Sequence, residues 1–109
     1  MLNQVVLVGR LTADPVKKEE EGHIKSDVII AVPRSYKNSD GKYETDYINC
    51  VLRDGVAINT SEFCHKGDIV GIKGRIEVKE ITKGKKKEYI TQVIAEKVTF
   101  LSSKKENEE

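Results

Sequence analysis

One short helical segment stands among strand-like segments in this 109-residue chain, and its position is the feature that most restricts the fold. The segment VAINTSEFCHKG has one helical face made of Val56, Thr60, Phe63 and Cys64. Gly67 follows at a point where a left-handed residue is expected after a helix. Strand-like segments flank this helix on both sides, so we expect a mostly β domain with one small helix.

The strand-like segments number five, three before the helix and two after it. The first, 3–11, is apolar on both parities, which is typical of a strand covered on both faces. A polar loop leads to a second strand that ends near Pro33, and Asp40–Gly41 then predicts a tight hairpin before the third strand. The remaining segments are predicted as strands over 25–32, 43–54, 68–81 and 88–101.

This order predicts an OB-fold, a five-stranded Greek-key barrel with one helix between strands 3 and 4. Other small barrels fit the strand order as well. OB-folds commonly bind oligonucleotides across their second and third strands and nearby loops. The domain is expected to cover residues 1–101, with a short polar, disordered tail over 102–109.

The third strand, YETDYINCVLRD, alternates between a core face and an outward face. Its inward parity carries Ile48, Cys50 and Leu52. Its outward parity carries Thr45, Tyr47, Asn49, Val51 and Arg53. An exposed tyrosine beside an arginine suits nucleic-acid binding, because a ring can stack on any base and a guanidinium can hold a phosphate. Alternatively, the tyrosine packs on cross-strand neighbours.

Basic residues collect on the fourth strand and the turn after it. Lys plus Arg total 19 against 18 Asp plus Glu, so any site for a polyanion has to be local. The outward parity of the fourth strand carries Lys73, Arg75, Glu77, Lys79 and Ile81. The following tip adds Lys83, Lys85, Lys86 and Lys87. The cluster predicts a groove that follows a phosphate backbone, although any single lysine is more often solvated surface.

Several functional classes find no support in the sequence. No apolar run approaches the length that spans a bilayer, so no membrane association is expected. Cys50 and Cys64 match neither a disulfide framework nor, with His23 and His65, a zinc site, so reduced thiols and no cofactor are expected. Adjacent residues such as Cys64 and His65 point in different directions on a helix, so the chain is not expected to be an enzyme.

Four stretches, MLNQVVLVGRLTADP, DYINCVLRD, SEFCHKGDIVGIKGRIE and YITQVIAEKVTFL, resemble the bacterial single-stranded-DNA-binding protein family. The resemblance spans roughly residues 1–101. It implies a cytoplasmic OB-fold subunit that assembles as a homotetramer and binds single-stranded DNA with little sequence preference in replication, recombination or repair. Tetramer assembly would cover the second apolar face of the first strand; closure within one subunit is the alternative.

Tyr47 and Tyr36 resemble the family's stacking positions. The residues predicted to bind nucleic acid are Tyr36, Lys37, Lys42, Tyr43, Tyr47, Arg53, Lys73, Arg75, Lys79, Ile81, Lys85, Lys86 and Lys87. Two of them depart from the family, because Arg53 and Ile81 stand where aromatic residues are expected. An arginine in place of an aromatic residue at position 53 replaces ring stacking with a positive charge.

The chain's last residues, SSKKENEE, lack the acidic tip with aromatic and proline residues that the family generally has. Recruitment of replication and repair enzymes through such a tip is therefore not expected. The lost aromatics and the missing tip leave one alternative function open. In that alternative, the chain is an OB-fold assembly factor in replication restart or competence that binds mainly protein or RNA.

Overall fold

The computed structural model describes residues 1–103, and within them the chain forms six strands and one helix. In chain order these are β1 (Val5–Leu11), β2 (Lys18–Glu20), β3 (His23–Lys37), β4 (Tyr43–Arg53), α1 (Asp54–Phe63), β5 (Ile69–Lys83) and β6 (Lys86–Ser102). Within the same residues, no helix is long and apolar enough to cross a membrane.

Five of the strands close into a barrel. Hydrogen bonding runs in the order β1, β5, β6, β4, β3, and a short pairing between β3 and β1 completes the circle. All of these pairings are antiparallel except that of β4 with β6. The pairings of β1 with β3 and of β4 with β6 are short, each covering two residue pairs. The predicted OB-fold, with five barrel strands and one helix, is thus confirmed.

A small hairpin outside the barrel corrects the predicted path between the first two barrel strands. The stretch predicted as a loop contains β2, which pairs only with the start of β3. Glu21 and Gly22 make the turn with φ angles of 53° and 80°. Because β2 consists only of exposed charged residues, it lacks the apolar alternation that would have identified it as a strand. The helix consequently follows the fourth strand of the chain rather than the third.

The core lies inside the barrel and under α1. Its buried apolar side chains are Leu11, Val28, Ile30, Cys50, Leu52, Ala57, Cys64, Val70, Ile72, Val93 and Ala95. The inward parity predicted for β4 is confirmed, since Cys50 and Leu52 are fully buried and Ile48 packs against the cluster. Both cysteines are free and buried, as predicted, and burial raises the pKa of the Cys50 thiol to about 11.

Two glycines permit close backbone approaches that shape the barrel. A Cβ on Gly74 would overlap the carbonyl oxygen of Ile94, and one on Gly9 would lie 2.6 Å from that of Ala31. At Gly74 the register of β5 against β6 also shifts, so the strand bends there. Beyond this bend, residues 75–94 form a long hairpin that we call the arm.

Three local predictions are wrong. β3 does not stop near Pro33 but continues to Lys37 through an irregular stretch. Val51 is buried, with 4% of its surface exposed, although it has the outward parity of β4. Phe63 ends α1 and is exposed rather than sharing the buried face of the helix with Thr60. The burial of Val51 arises from its pairing with Ile94 of β6, a contact between distant segments that overrides the local pattern.

Candidate nucleic-acid interface

The hairpin of β3 and β4 carries two exposed tyrosines on one face. Tyr47 lies opposite Ala31 and Tyr43 lies opposite Lys37, and residues paired in this way share a face of the sheet. The side chains of Tyr47 and Tyr43 are 69% and 60% exposed. The Nζ atom of Lys37 lies 5.8 Å from the centre of the Tyr43 ring. This face therefore offers two aromatic rings and an adjacent cation to a ligand.

Tyr36 is equally accessible but lies in a different place. It falls in the irregular stretch between Pro33 and Lys37, where β3 has two more residues than β4 between the paired positions. Tyr36 directly precedes Lys37, which pairs with Tyr43 and shares its face, so alternation turns Tyr36 to the opposite side, that of Arg34. The structure thus groups Tyr43 with Tyr47 and places Tyr36 on the other side of the hairpin.

Arg34 ties the two strands of this hairpin together. Its Nε and Nη2 donate to the carboxylate of Asp46, the latter at 2.9 Å, and its Nη1 donates to Glu44 at 2.8 Å. The hydrogen bond and charge of Arg34 hold the pKa of Asp46 below its usual range. A guanidinium with both carboxylates already bound has few donors left for a phosphate. Arg34 therefore stiffens the hairpin that displays the tyrosines.

The arm presents a second row of candidate residues. Its two-residue turn, Gly84 and Lys85, fixes the register, so Lys79 lies opposite Ile90 and Ile81 opposite Glu88. One face of the arm carries Arg75, Glu77, Lys79, Ile81, Lys83, Lys86, Glu88, Ile90, Gln92 and Ile94. The predicted residues Arg75, Lys79, Ile81 and Lys86 share this face, whereas Lys87, opposite Thr82, lies on the other.

The two rows join into one surface. β4 pairs with β6 so that Val51 lies beside Ile94, which places the outward face of β4 next to the face of the arm that carries Lys79. Arg53 bridges the two, since its Nη2 lies 3.8 Å from Oε1 of Glu77. We call this surface the front face: the outward residues of β4 from Tyr43 to Arg53 together with that face of the arm. Neighbouring strands lie about 4.8 Å apart, so the two rows meet where Val51, Ile94 and Arg75 lie side by side on β4, β6 and β5.

Val51 and Ile94 form a buried apolar base in the front face. They are 4% and 5% exposed, although their parity is opposite to that of the core residues beside them. Arg53 has to reach across this pair to contact Glu77, and Arg75 lies directly opposite Ile94. The aliphatic stems of long charged side chains commonly cover apolar surface in this way. The arginines are thereby held over the middle of the front face.

The remaining predicted cations are exposed but dispersed. At the tip of the arm, Lys83 pairs with Glu88 at 3.6 Å and Lys87 with Glu80 at 3.5 Å. Lys42 lies in the loop between β3 and β4, where its backbone N–H donates to the side chain of Asn38. Lys73 precedes the bend in β5 and lies opposite Val6 of β1. The structure therefore brings together the arm and β4 residues, and leaves Lys73 on another part of the barrel wall.

Comparison with known proteins places these residues within a recognised family. A family model described as "Single-strand binding protein family" matches residues 2–101, which include the whole front face. The chain belongs to this family. It is 42% identical over 106 residues to "Single-stranded DNA-binding protein B" of Bacillus subtilis, covering 95% of this chain and 94% of that protein.

Other members of the family are longer. The chain is 40% identical over 106 residues to "Single-stranded DNA-binding protein 3" of Listeria innocua, with 95% of this chain and 66% of that protein covered. It is 38% identical over 110 residues to "Single-stranded DNA-binding protein" of Lactiplantibacillus plantarum, with 99% and 55% covered. Of the segment 102–109, for which a tail without an acidic tip was predicted, Ser102 belongs to β6, and residues 104–109 lie outside the described residues. The names of the family and of these relatives refer to the binding of single strands and to no reaction, which agrees with the prediction that the chain is not an enzyme.

Sequence reasoning missed part of the front face. Ile90 is 43% exposed opposite Lys79, and Gln92 lies opposite Glu77; beside the front face, Lys25 of β3 lies opposite Arg53. The mixed parities of the last strand concealed the first two. The sequence nonetheless contained the information needed to place them. With a two-residue turn at Gly84 and Lys85, each step back along β5 pairs with one step forward along β6, so the face of each β6 residue follows from that of its partner on β5.

Proposed function

We propose that this chain binds single-stranded DNA with little sequence preference and serves replication, recombination or repair. The observation that carries this proposal is the front face, where exposed tyrosines on β4 continue into a row of cations and apolar side chains on the arm. Every base has a ring face for stacking and every nucleotide has a phosphate, so such a surface accepts any sequence. The relatives' names point to the same ligand.

We propose that Tyr47 and Tyr43 stack on bases on the front face, and that Tyr36 stacks on a base where the strand passes around the hairpin. All three rings are more than half exposed. Base stacking on an aromatic side chain is worth about 1–3 kcal/mol per base. Stacking on two or three tyrosines can therefore supply most of the affinity of one subunit.

The basic residues of the site would hold the phosphates. Lys37 and Lys42 flank the tyrosines, Arg53 and Arg75 lie in the middle of the front face, and Lys79 follows on the arm. Lys85, Lys86 and Lys87 extend the basic surface to the tip, and Lys73 lies on the route around the barrel wall. Ile81 and Ile90 would contribute apolar contact with sugars or bases.

We further propose that the chain assembles as a homotetramer. Val6 and Val8 on β1 are 68% and 53% exposed on the outer barrel wall. On the rear face of the arm, opposite the front face, Ile76, Val78 and Tyr89 are also exposed. Monomeric proteins rarely leave such apolar surfaces bare, and copies of the same chain would cover them. A mass in solution about four times the chain mass of 12.3 kDa is expected, and Val6→Asp should reduce it.

We also propose that the protein works in the cytoplasm and that residues 1–101 contain the whole binding domain, with 102–109 as a tail. The two free, buried cysteines suit a reducing compartment. A chain truncated after residue 103 should bind single strands as well as the full chain does. Loss of binding on truncation would contradict this domain division.

A titration with fluorescein-labelled oligothymidine, followed by anisotropy, tests the main proposal. Micromolar or tighter binding is expected, with similar affinities for mixed-sequence single strands and much weaker binding to a duplex. The main rival is an assembly factor that binds mainly protein or RNA. No measurable binding to any single-stranded DNA, together with tight binding to RNA or to a protein partner, would favour that rival.

A further inference from the structure

One carboxylate lies between two arginines at the centre of the front face. Oε1 of Glu77 lies 3.8 Å from Nη2 of Arg53, and Oε2 lies 3.2 Å from Nη2 of Arg75. Each oxygen of the carboxylate thus serves a different guanidinium. Arg53 comes from β4 and Arg75 from β5, so the carboxylate joins the barrel to the arm. We call this group the arginine pair with Glu77.

The contacts within this group are loose. Among residues 1–103, neither Arg53 nor Arg75 makes a hydrogen bond of good geometry to Glu77, in contrast to the four hydrogen bonds that Arg34 donates. Nη1 of Arg75 is buried and has no hydrogen-bond partner among the described residues. A buried guanidinium nitrogen without a partner is costly and is usually satisfied by water, an ion or a ligand. The group therefore keeps one donor, Nη1 of Arg75, that is unsatisfied among the described residues.

The arrangement suits a phosphodiester. Like a carboxylate, a phosphodiester carries one negative charge over two equivalent oxygens, and guanidinium groups bind both in the same planar geometry. The side chains of Arg53, Arg75 and Glu77 are 49%, 37% and 39% exposed, so solvent screens their attraction. The carboxylate can therefore leave at small cost when another anion arrives.

We propose that Glu77 occupies the place of a backbone phosphate, and that a single strand binds between Arg53 and Arg75 by displacing this carboxylate. This inference rests on the proposed function and adds a phosphate subsite to it. In the free protein Glu77 offsets the repulsion between two guanidiniums held over the Val51–Ile94 base. In the complex it limits the affinity, because the strand has to compete with it.

The substitution Glu77→Gln tests the exchange. It keeps the shape of the side chain and removes the competing charge, so binding to oligothymidine should tighten by about threefold to tenfold at low salt. The matched control is Glu62→Gln, which makes the same change at an exposed residue of α1 that forms no ion pair among residues 1–103. The control reports the general effect of one negative charge less, and it should gain less than twofold.

Repeating the substitution in a chain that lacks one arginine shows whether the gain in affinity depends on the arginine pair. In an Arg53→Gln chain, Glu77→Gln should lose most of its effect, because one of the two freed guanidiniums is gone. Equal gains for Glu77→Gln and Glu62→Gln, or an undiminished gain without Arg53, would overturn the exchange while leaving single-strand binding intact. If the wild-type protein binds no single strand, the proposed function and this inference both fail.

A measurement on the wild-type protein removes any dependence on how the variants fold. The Nε–Hε signals of Arg53 and Arg75 in ¹⁵N NMR should shift on adding oligothymidine, whereas the signal of Arg34, already bound to Asp46, should stay in place. Binding that leaves the Arg53 and Arg75 signals unmoved would rule out a phosphate between them.

Discussion

Replacing Tyr47 by alanine is the most direct test of base stacking on the front face. The ring is 69% exposed, and within residues 1–103 its hydroxyl makes no hydrogen bond, so little of the fold depends on it. We expect the free energy of unfolding to fall by no more than about 1 kcal/mol, the range of strand propensity. Loss of a stacked base removes about 1–3 kcal/mol of binding, so Kd should rise about fivefold to 150-fold.

The assay is anisotropy with labelled oligothymidine, and the matched control is Tyr47→Phe. Phenylalanine keeps the ring and loses only the hydroxyl, so it should bind within about twofold of wild type. A comparison between oligothymidine and a mixed sequence should show the same loss for Tyr47→Ala on both, because every base can stack. If Tyr47→Ala binds as wild type does while the fold is intact, stacking on β4 is refuted.

Three further outcomes are expected. Because burial raises the pKa of both Cys50 and Cys64, the native thiols should stay protonated and resist iodoacetamide at pH 8, and both should react once urea unfolds the chain. The pKa of Asp46 is lowered, so its contribution to stability is fully present above the unfolded pKa of about 3.9 and is lost as the pH falls through the folded pKa. Amide hydrogen exchange in the β3–β4 hairpin of the wild-type protein should therefore accelerate in that acid range. The substitution Asp46→Asn should abolish this pH dependence. Replacing Lys85, Lys86 and Lys87 together by glutamine should flatten the plot of log K against log salt by about 0.7 for each phosphate that these lysines neutralise, and an unchanged slope would remove the arm tip from the site.

The outward position of Tyr47 could be predicted because β4 alternates strictly and one face must enter the core. The burial of Val51 could not be predicted from the same alternation. It pairs with Ile94, forty-three residues away, in a parallel pairing of β4 with β6 that no local pattern indicates. The face of Tyr36 was equally hidden, since two extra residues in β3 interrupt the alternation after Pro33. Local periodicity assigns a face reliably only while the pairing register is regular.

Glu77 shows the same limit for charge. Its parity on β5 was correctly predicted, yet in the sequence it is one acidic residue among many in a chain of nearly balanced charge. Its contact with Arg53 depends on the pairing of β4 with β6, which is parallel and non-local. No sequence pattern predicts such a contact, so the ion pairs of Glu77 with the two arginines can be identified only in the folded barrel.

The ion pairs on the front face weaken the contribution of phosphate contacts to binding relative to that of base stacking. Arg53 and Arg75 share Glu77, and Lys83 is paired with Glu88, so phosphates gain those cations only in exchange for a carboxylate. Exchange of one anion for another releases fewer counterions than binding to a free cation does, so each such contact adds less to the salt slope. Stacking on tyrosine has no such competitor. We therefore expect single-strand binding to depend on salt less steeply than the number of cations implies, and Glu77→Gln to restore part of the slope.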